Sequence, residues 1–374
     1  MGVPSRRKVR VAFFSDAPYV GGAEKYLFLL ASHLDRDEFD PILIVNRNPR
    51  LEKLAAWAAA ASIPVHEVSL RLPFSARGVK EFVRLLRKLR PALLHCNLPG
   101  PWDSQYSLVA PLAKLAGVRR IVSTEHLPMV PSFAKGAMLK RLGTLAIDRV
   151  ITVSRDNVRY LTGIHGVPGQ KIRVVYNGIP DPGDVPAADI RAALKLGSDA
   201  FVALIVGSVE ERKGHTTAFA AWSRLPANAH LVVVGSGPQE GEYRGLVRDL
   251  GLENRVHFLG CRDDVASLLR AADLLVVPST LEATPYVIME AMAAGLPVVA
   301  SDINGIPELV ADCLSGFLFP PMDPAALAGA VSWFIERPAS VHSMGERGRK
   351  SFEKVFTIER SVEETAFIYR DLLR

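Results

Sequence analysis

Residues 177–200 read NGIPDPGDVPAADIRAALKLGSDA. Three prolines and two Asp-rich turns cannot continue a strand or a long helix, so the stretch reads as a linker. On both sides of it, short β-rich runs alternate with amphipathic stretches. Before it, Val9–Phe14, Ile42–Val45, Val65–Val68, Ala92–His95, Arg120–Ser123, Val150–Val153 and Ile172–Val175 read as strands. After it, Phe201–Val206, Leu231–Val234, Val256–Leu259, Leu274–Val277 and Val298–Ala300 restart the series. Repeated strand–helix alternation predicts parallel sheets with helices on both faces, and continuously apolar strands fit burial on both sides. Two doubly wound α/β domains follow, over 1–180 and 181–356. Residues 357–374 read as a last helix, expected to pack back on the first domain. Such sheets bind ligands at the carboxyl ends of their strands, and two facing domains would place a cleft between those ends.

The 374 residues suit two domains at about 150 residues each. A composition of 49% hydrophobic, 22% charged and 7% aromatic residues excludes a disordered, collagenous or coiled-coil chain. Cys96, Cys261 and Cys313 are too few and too scattered for a disulfide scaffold or a Cys-only zinc cluster. They read as reduced core thiols of a cytoplasmic protein. No apolar run approaches the ~18 residues of a membrane span. AAWAAAA at 55–61 fits one face of a soluble helix. The opening MGVPSRRKVRVAFFSD reads as a first strand rather than a signal peptide, and Arg6 stands where myristoylation wants Ser or Thr.

The net charge of +6 is unevenly spread. Residues 1–180 hold 27 Lys and Arg against 13 Asp and Glu, the remainder 18 against 26. A basic half suits an anionic partner: nucleic acid, an anionic membrane surface or an anionic acceptor. Nucleic acid is disfavoured, since no aromatics interleave with the cations and no helix-turn-helix cue is present. The segment Arg77–Arg90 predicts a basic amphipathic helix. Its apolar stripe is needed to cover the sheet, so its charges read first as a solvated face and second as a membrane-docking surface.

Beside that helix, four segments could carry chemistry. VGGAEK at 20–25 joins the first strand to a helix, where Gly21 and Gly22 let a ligand approach the helix N-terminus. A plain tight turn is the equal alternative, and the spacing is not that of a dinucleotide fingerprint. VGSVEERKG at 206–214 repeats this placement in the second domain. There Arg212 and Lys213 could clamp a diphosphate, although an isolated charged turn is the commoner meaning of such a pair. PSTLEATPYVIMEAM at 278–292 sets Glu282 in a loop after a strand and Glu290 about one turn inside the next helix. A carboxylate buried there needs a partner, and a ribose diol or a backbone cap would each serve. The N–H groups of Thr284–Val287 could hold phosphates. In STEHLP, His126 sits at the carboxyl end of the fifth strand, facing the expected cleft. A satisfied structural histidine is slightly the commoner reading. Of the nine histidines, His95 also ends a strand. No spacing indicates a catalytic metal.

Taken together these segments resemble the family-4 retaining glycosyltransferases of the GT-B fold, across nearly the whole chain and in order. The resemblance rests on GGAEK, STEH, VSR at 153–155, YNGI at 176–179, VGSVEERKG, VVGSGP at 233–238, FLGCRDDV at 258–265 and PST-LEATPYVIMEAMAAGLPVVASD, followed by IPELV and GFLFPPMDP. It implies two Rossmann-like domains and a nucleotide-diphosphate sugar donor, most often UDP-linked, with no metal or other cofactor. It implies that Gly21 and Gly22 lie against diphosphate and acceptor, and that His126 lies near the donor sugar. Lys213 and Arg212 would neutralise the diphosphate, Glu282 would hold sugar hydroxyls and Glu290 the ribose. The turn Thr284, Pro285, Tyr286 and Val287 would set backbone N–H groups on the phosphates, those of its non-proline residues. Gly260, Cys261 and Arg262 would flank the base. Ser208 departs from the pattern, standing where the family often has Arg, and Asn304 replaces a common glycine.

The implied activity moves a hexosyl or N-acetylhexosaminyl group to a lipid-linked, saccharide or other hydroxyl acceptor in glycan or glycolipid synthesis. The expected place is the cytoplasm or the inner membrane face. A sugar-nucleotide epimerase and a silent sugar-nucleotide-binding protein share the architecture. The joint presence of His126, Lys213, Glu282 and Glu290 argues against the silent protein.

Overall fold

The computed structural model describes residues 8–70, 75–98, 108–128 and 134–374. Arg6 and the rest of the first seven residues lie outside this set. The chain divides into two compact units, Met1–Gly178 with Ile358–Arg374, and Ile179–Thr357.

The first unit carries seven parallel strands, β1 (Val9–Ser15), β2 (Phe39–Asn46), β3 (Val65–Val68), β4 (Leu93–Leu98), β5 (Arg120–Glu125), β6 (Arg149–Thr152) and β7 (Ile172–Val174), in the order β3-β2-β1-β4-β5-β6-β7. The second carries β8 (Phe201–Val206), β9 (Ala229–Val234), β10 (Val256–Gly260), β11 (Leu274–Val277), β12 (Val298–Ser301) and β13 (Gly316–Phe319), in the order β10-β9-β8-β11-β12-β13. Each sheet thus reverses direction of growth beside its first strand, between β1 and β4 and between β8 and β11. That reversal opens a crevice at the carboxyl ends of the strands.

Helices cover both faces, and the strands are correspondingly apolar. Val11–Ser15 of β1 and all of β11 are buried. Phe14 meets Phe82 edge-on at 5.5 Å in one core, while Phe219, Trp222 and Phe334 fill the other. Each such side chain contributes roughly 1.5–3 kcal/mol.

The helix Ala76–Leu89 starts where the Ser75 hydroxyl accepts the Gly78 N–H at 3.0 Å. Phe82 and Leu86 are buried, with Val79, Leu85 and Leu89 packed beside them. Its apolar stripe is therefore spent on the sheet, leaving only its charged face to solvent. The last helix, Ile358–Leu373, belongs to the first unit. Tyr369 is fully buried there, hydrogen-bonded to His95 Nδ1 and edge-on to Phe39 at 6.0 Å. The Arg370 fork grips both oxygens of Glu38, at 2.9 and 2.8 Å.

Several expectations need correction. β13, the apolar GFLF run, was not foreseen as a strand. His95 does not end its strand: β4 runs on to Leu98, and His95 lies inside it with no exposure. β5 likewise continues through Thr124 and Glu125, because both polar side chains are buried with partners. Of the three thiols only Cys96 is in the core, and Cys261 and Cys313 are exposed. Asn304 has φ +44°, the left-handed region where asparagine is the tolerated substitute for glycine.

Candidate active site

In the second unit the site grows from backbone packed against backbone. Gly207 follows β8 and Gly235 follows β9. A Cβ at Gly235, where φ is +135°, would lie 1.9 Å from the Gly207 carbonyl oxygen. Gly214, with φ +68°, caps the turn Glu211–Lys213 and leaves no room either, since its Cβ would fall 1.8 Å from the Pro278 oxygen. The turn is also tied to the loop after β11, where the Thr280 N–H donates to the Arg212 carbonyl at 2.8 Å.

This close approach brings Lys213 to Glu282. Lys213 Nζ lies 2.5 Å from Glu282 Oε1, and the Ser279 hydroxyl donates to the same oxygen at 3.1 Å. Both charged side chains are mostly buried, Glu282 at 8% exposure and Lys213 at 17%. Arg212 stands beside them, 3.8 Å from Glu282 and paired with Glu210 at 2.6 Å. The structure thus joins three residues that the sequence suggested for donor binding, Arg212, Lys213 and Glu282. Ser279 and Glu210 were not foreseen, although Ser279 sits only three residues before Glu282.

The helix Tyr286–Ala293 begins after Pro285, with Thr284 buried just ahead of it. Val287 and Glu290 are half-buried, so the expected buried carboxylate at Glu290 is a partly exposed one. Ser208 is exposed, as are Cys261 and Arg262 after β10. The Ser236 hydroxyl meets Cys261 Sγ at 2.9 Å, and Arg262 pairs with Asp264 at 2.7 Å.

In the first unit Gly21 precedes the helix Gly22–His33, and its N–H donates to Glu24 Oε2 at 3.0 Å. Ser15 donates to the other oxygen at 3.1 Å. Burial raises the Glu24 pKa above the usual carboxylate range. His126 is nearly buried rather than open, with Nε2 2.7 Å from Asn97 Oδ1. Asn97 Nδ2 donates to the Ala23 carbonyl at 3.0 Å, which fixes Oδ1 as the acceptor and places the His126 proton on Nε2. Tyr26 packs edge-on against the ring at 4.9 Å. Sequence reasoning missed Asn97, whose tie to His126 exists only once β4 and β5 are neighbours. It also missed Lys140, which pairs with Glu125 in full burial. Among the described residues, no three His, Cys, Asp or Glu side chains cluster where they could hold a metal ion.

Burial pushes the pKa of His126 down to about 3, and that of His95 likewise. The folded protein holds both rings neutral, whereas the unfolded chain takes up their protons below about 6.5. Stability is therefore complete above that pH and is lost as pH falls towards 3, by roughly 1.4 kcal/mol per unit for each ring. Denaturant unfolding at about pH 7 and about pH 5 should show His126→Gln losing less stability than the wild type, by about 2 kcal/mol. An equal loss in both proteins would refute the neutral buried ring.

Two parallel sheets, each reversing its direction of growth beside its first strand, define an α/β protein of two Rossmann-like units. Residues 20–181 match the family model described as Glycosyltransferase Family 4, and residues 187–351 the one described as Glycosyl transferases group 1. D-inositol 3-phosphate glycosyltransferase of Mycolicibacterium paratuberculosis is 32% identical over 393 residues, covering 95% of this chain and 86% of that one. An uncharacterized glycosyltransferase of Methanocaldococcus jannaschii is 29% identical over 246 residues, 62% of each chain. Anabaena HepE in complex with UDP superposes with a TM-score of 0.85 at 23% identity, over 97% of this chain and all of that one. The chain belongs to the family-4 glycosyltransferases and has their GT-B fold.

Proposed function

We propose that the protein is a retaining glycosyltransferase moving a hexosyl or N-acetylhexosaminyl group from a UDP-sugar to a hydroxyl acceptor. The reading rests on one observation above the others, the Lys213–Glu282 pair at 2.5 Å with Arg212 alongside. A donor diphosphate entering this corner takes Lys213 and Arg212 as its counter-ions. Glu282 is then released to accept O–H bonds from the donor sugar, and Glu290 to accept them from the ribose. The N–H groups at the start of helix Tyr286–Ala293 face the phosphates.

In the reaction the bond from the anomeric carbon to the phosphate oxygen breaks, and its electron pair leaves with the diphosphate. The acceptor oxygen bonds the anomeric carbon on the same face and passes its proton to the departing phosphate. Two cations and a helix start stabilise the leaving charge, so activity should survive EDTA. His126 spends its Nε2 proton on Asn97, which leaves Nδ1 as the ring's acceptor.

The acceptor is a hydroxyl compound, lipid-linked or saccharide, and the basic first unit favours an anionic one. The relative named for D-inositol 3-phosphate is in keeping with that. No described helix is long and apolar enough to cross a membrane. Attachment to the inner membrane face would use the solvated charges Arg77, Lys80 and Arg84, and would fade with salt.

A thermal-shift screen against UDP-, GDP- and ADP-sugars tests the donor. A UDP-sugar at a hundredfold excess over Kd should add about 2.7 kcal/mol of stability. Stabilisation by another nucleotide sugar alone would overturn the choice of UDP. The anomeric configuration of the product, read by proton NMR, tests retention.

A further inference from the structure

The first unit has a second concentration of charge, at the opposite end of its strands. A groove of about 1280 Å³ lies among the residues leading into β1, β4 and β5. Among the described residues, Lys8, Arg10, Arg87, Lys88, Arg90 and Arg119 line it, and Asp40 is the one carboxylate there. β1 is seven residues long, so the groove lies ~20 Å from the Gly21 and His126 end.

Part of this charge has a structural use. Arg10 donates to Asp40 at 2.8 Å and to the Leu89 carbonyl at 2.9 Å, and Arg87 reaches the Leu115 carbonyl at 3.4 Å. These serve a strand pair and two helix ends, where cations are favoured. Lys8, Lys88, Arg90 and Arg119 are exposed, and among the described residues their side chains make no hydrogen bond or ion pair. Arg90 adopts φ +49°, the left-handed conformation that ends the helix Ala76–Leu89. Like charges drawn from separate segments repel one another within a screening length of about 8 Å. An anion among them relieves that repulsion. The field reaches His66 on β3, whose pKa is lowered by burial and then by Lys88 and Arg10.

We propose that this groove is a binding site for a soluble ligand carrying clustered phosphates. Arginine forks match phosphate oxygens in pairs, and two of the four unpartnered cations are arginines. The recess favours a small ligand that several segments can surround, whereas a bilayer would meet only the rim. The site is separate from the donor corner at Lys213, and its existence does not depend on the proposed reaction.

Calorimetric titration with sodium tripolyphosphate at fixed ionic strength tests it. The Lys213→Ala background removes the principal competing cation of the second unit. One saturable binding event is expected there. Adding Lys88→Gln, Arg90→Gln and Arg119→Gln should weaken it at least about tenfold. Adding Arg77→Gln, Lys80→Gln and Arg84→Gln, the same charge change outside the groove, should leave it within about twofold. Melting curves verify folding, and the milder pair Lys8→Gln/Arg119→Gln serves if the triple variant melts early. Equal weakening by both triples would reduce the site to general charge attraction and overturn it, as would unchanged binding in the groove triple. Displacement of bound tripolyphosphate by phosphatidylglycerol vesicles would overturn the soluble-ligand assignment.

Discussion

Lys213→Ala is expected to lower kcat/KM by about 10²–10³-fold, the scale of losing one preorganised charge stabiliser in a secluded site. Lys213 is mostly buried and lies 2.5 Å from Glu282, so its position is set before any donor arrives. Arg212→Ala should cost less, because Arg212 is 38% exposed and already shared with Glu210. The Lys213 variant should also melt earlier, since Glu282 is left buried with the Ser279 hydroxyl and the more distant Arg212. An unpaired buried group of this kind costs about 1–3 kcal/mol. Steady-state kinetics beside melting curves separates the two effects. Wild-type turnover in a folded Lys213→Ala would remove this lysine from the reaction.

Deleting residues 358–374 should abolish cooperative folding of the first unit. The last helix buries Ile358, Val362, Ile368, Tyr369 and Leu372. At roughly 1.5–3 kcal/mol for each, their loss rivals the whole stability of a typical domain, about 5–15 kcal/mol. The deletion also strips His95 Nδ1 of its Tyr369 partner and Glu38 of the Arg370 fork. Tyr369→Phe keeps the packing and drops the hydroxyl alone, so it should cost only about 1–3 kcal/mol. Circular dichroism melts and limited proteolysis report both variants. A truncated chain as cooperative and as stable as the full one would contradict this packing.

The alternation of strands and helices was legible because buried parallel strands are apolar on both faces and need no periodicity to be seen. β13 escaped because it is four residues opening on Gly316, where a Cβ would sit 1.9 Å from the Val298 oxygen. Read without that neighbour, the glycine looks like a turn. β4 and β5 were cut short because His95, Asn97, Thr124 and Glu125 look like solvent-facing ends. Their burial is sustained by partners on other elements, Tyr369, Lys140 and Tyr26 among them. The corner of Arg212, Lys213 and Glu282 was legible as a list of residue types carried by the family resemblance. The contact between Lys213 and Glu282 was not, since it depends on Gly214 letting its turn touch the loop after β11. The groove was visible only as the charges of Arg77–Arg90. Lys8, Arg10 and Arg119 join them through the order of the strands.

Calorimetric titration of UDP into the wild type and Glu290→Ala tests the central claim most directly, that the nucleotide lies along the helix Tyr286–Ala293. Glu290 is half-buried in that helix, so truncating it should leave the fold standing. Losing the hydrogen bonds of a ribose diol to a carboxylate costs roughly 1.5–3 kcal/mol, so UDP should bind about 10–150-fold more weakly to the variant. Equal affinity of UDP for the two folded proteins would contradict the site.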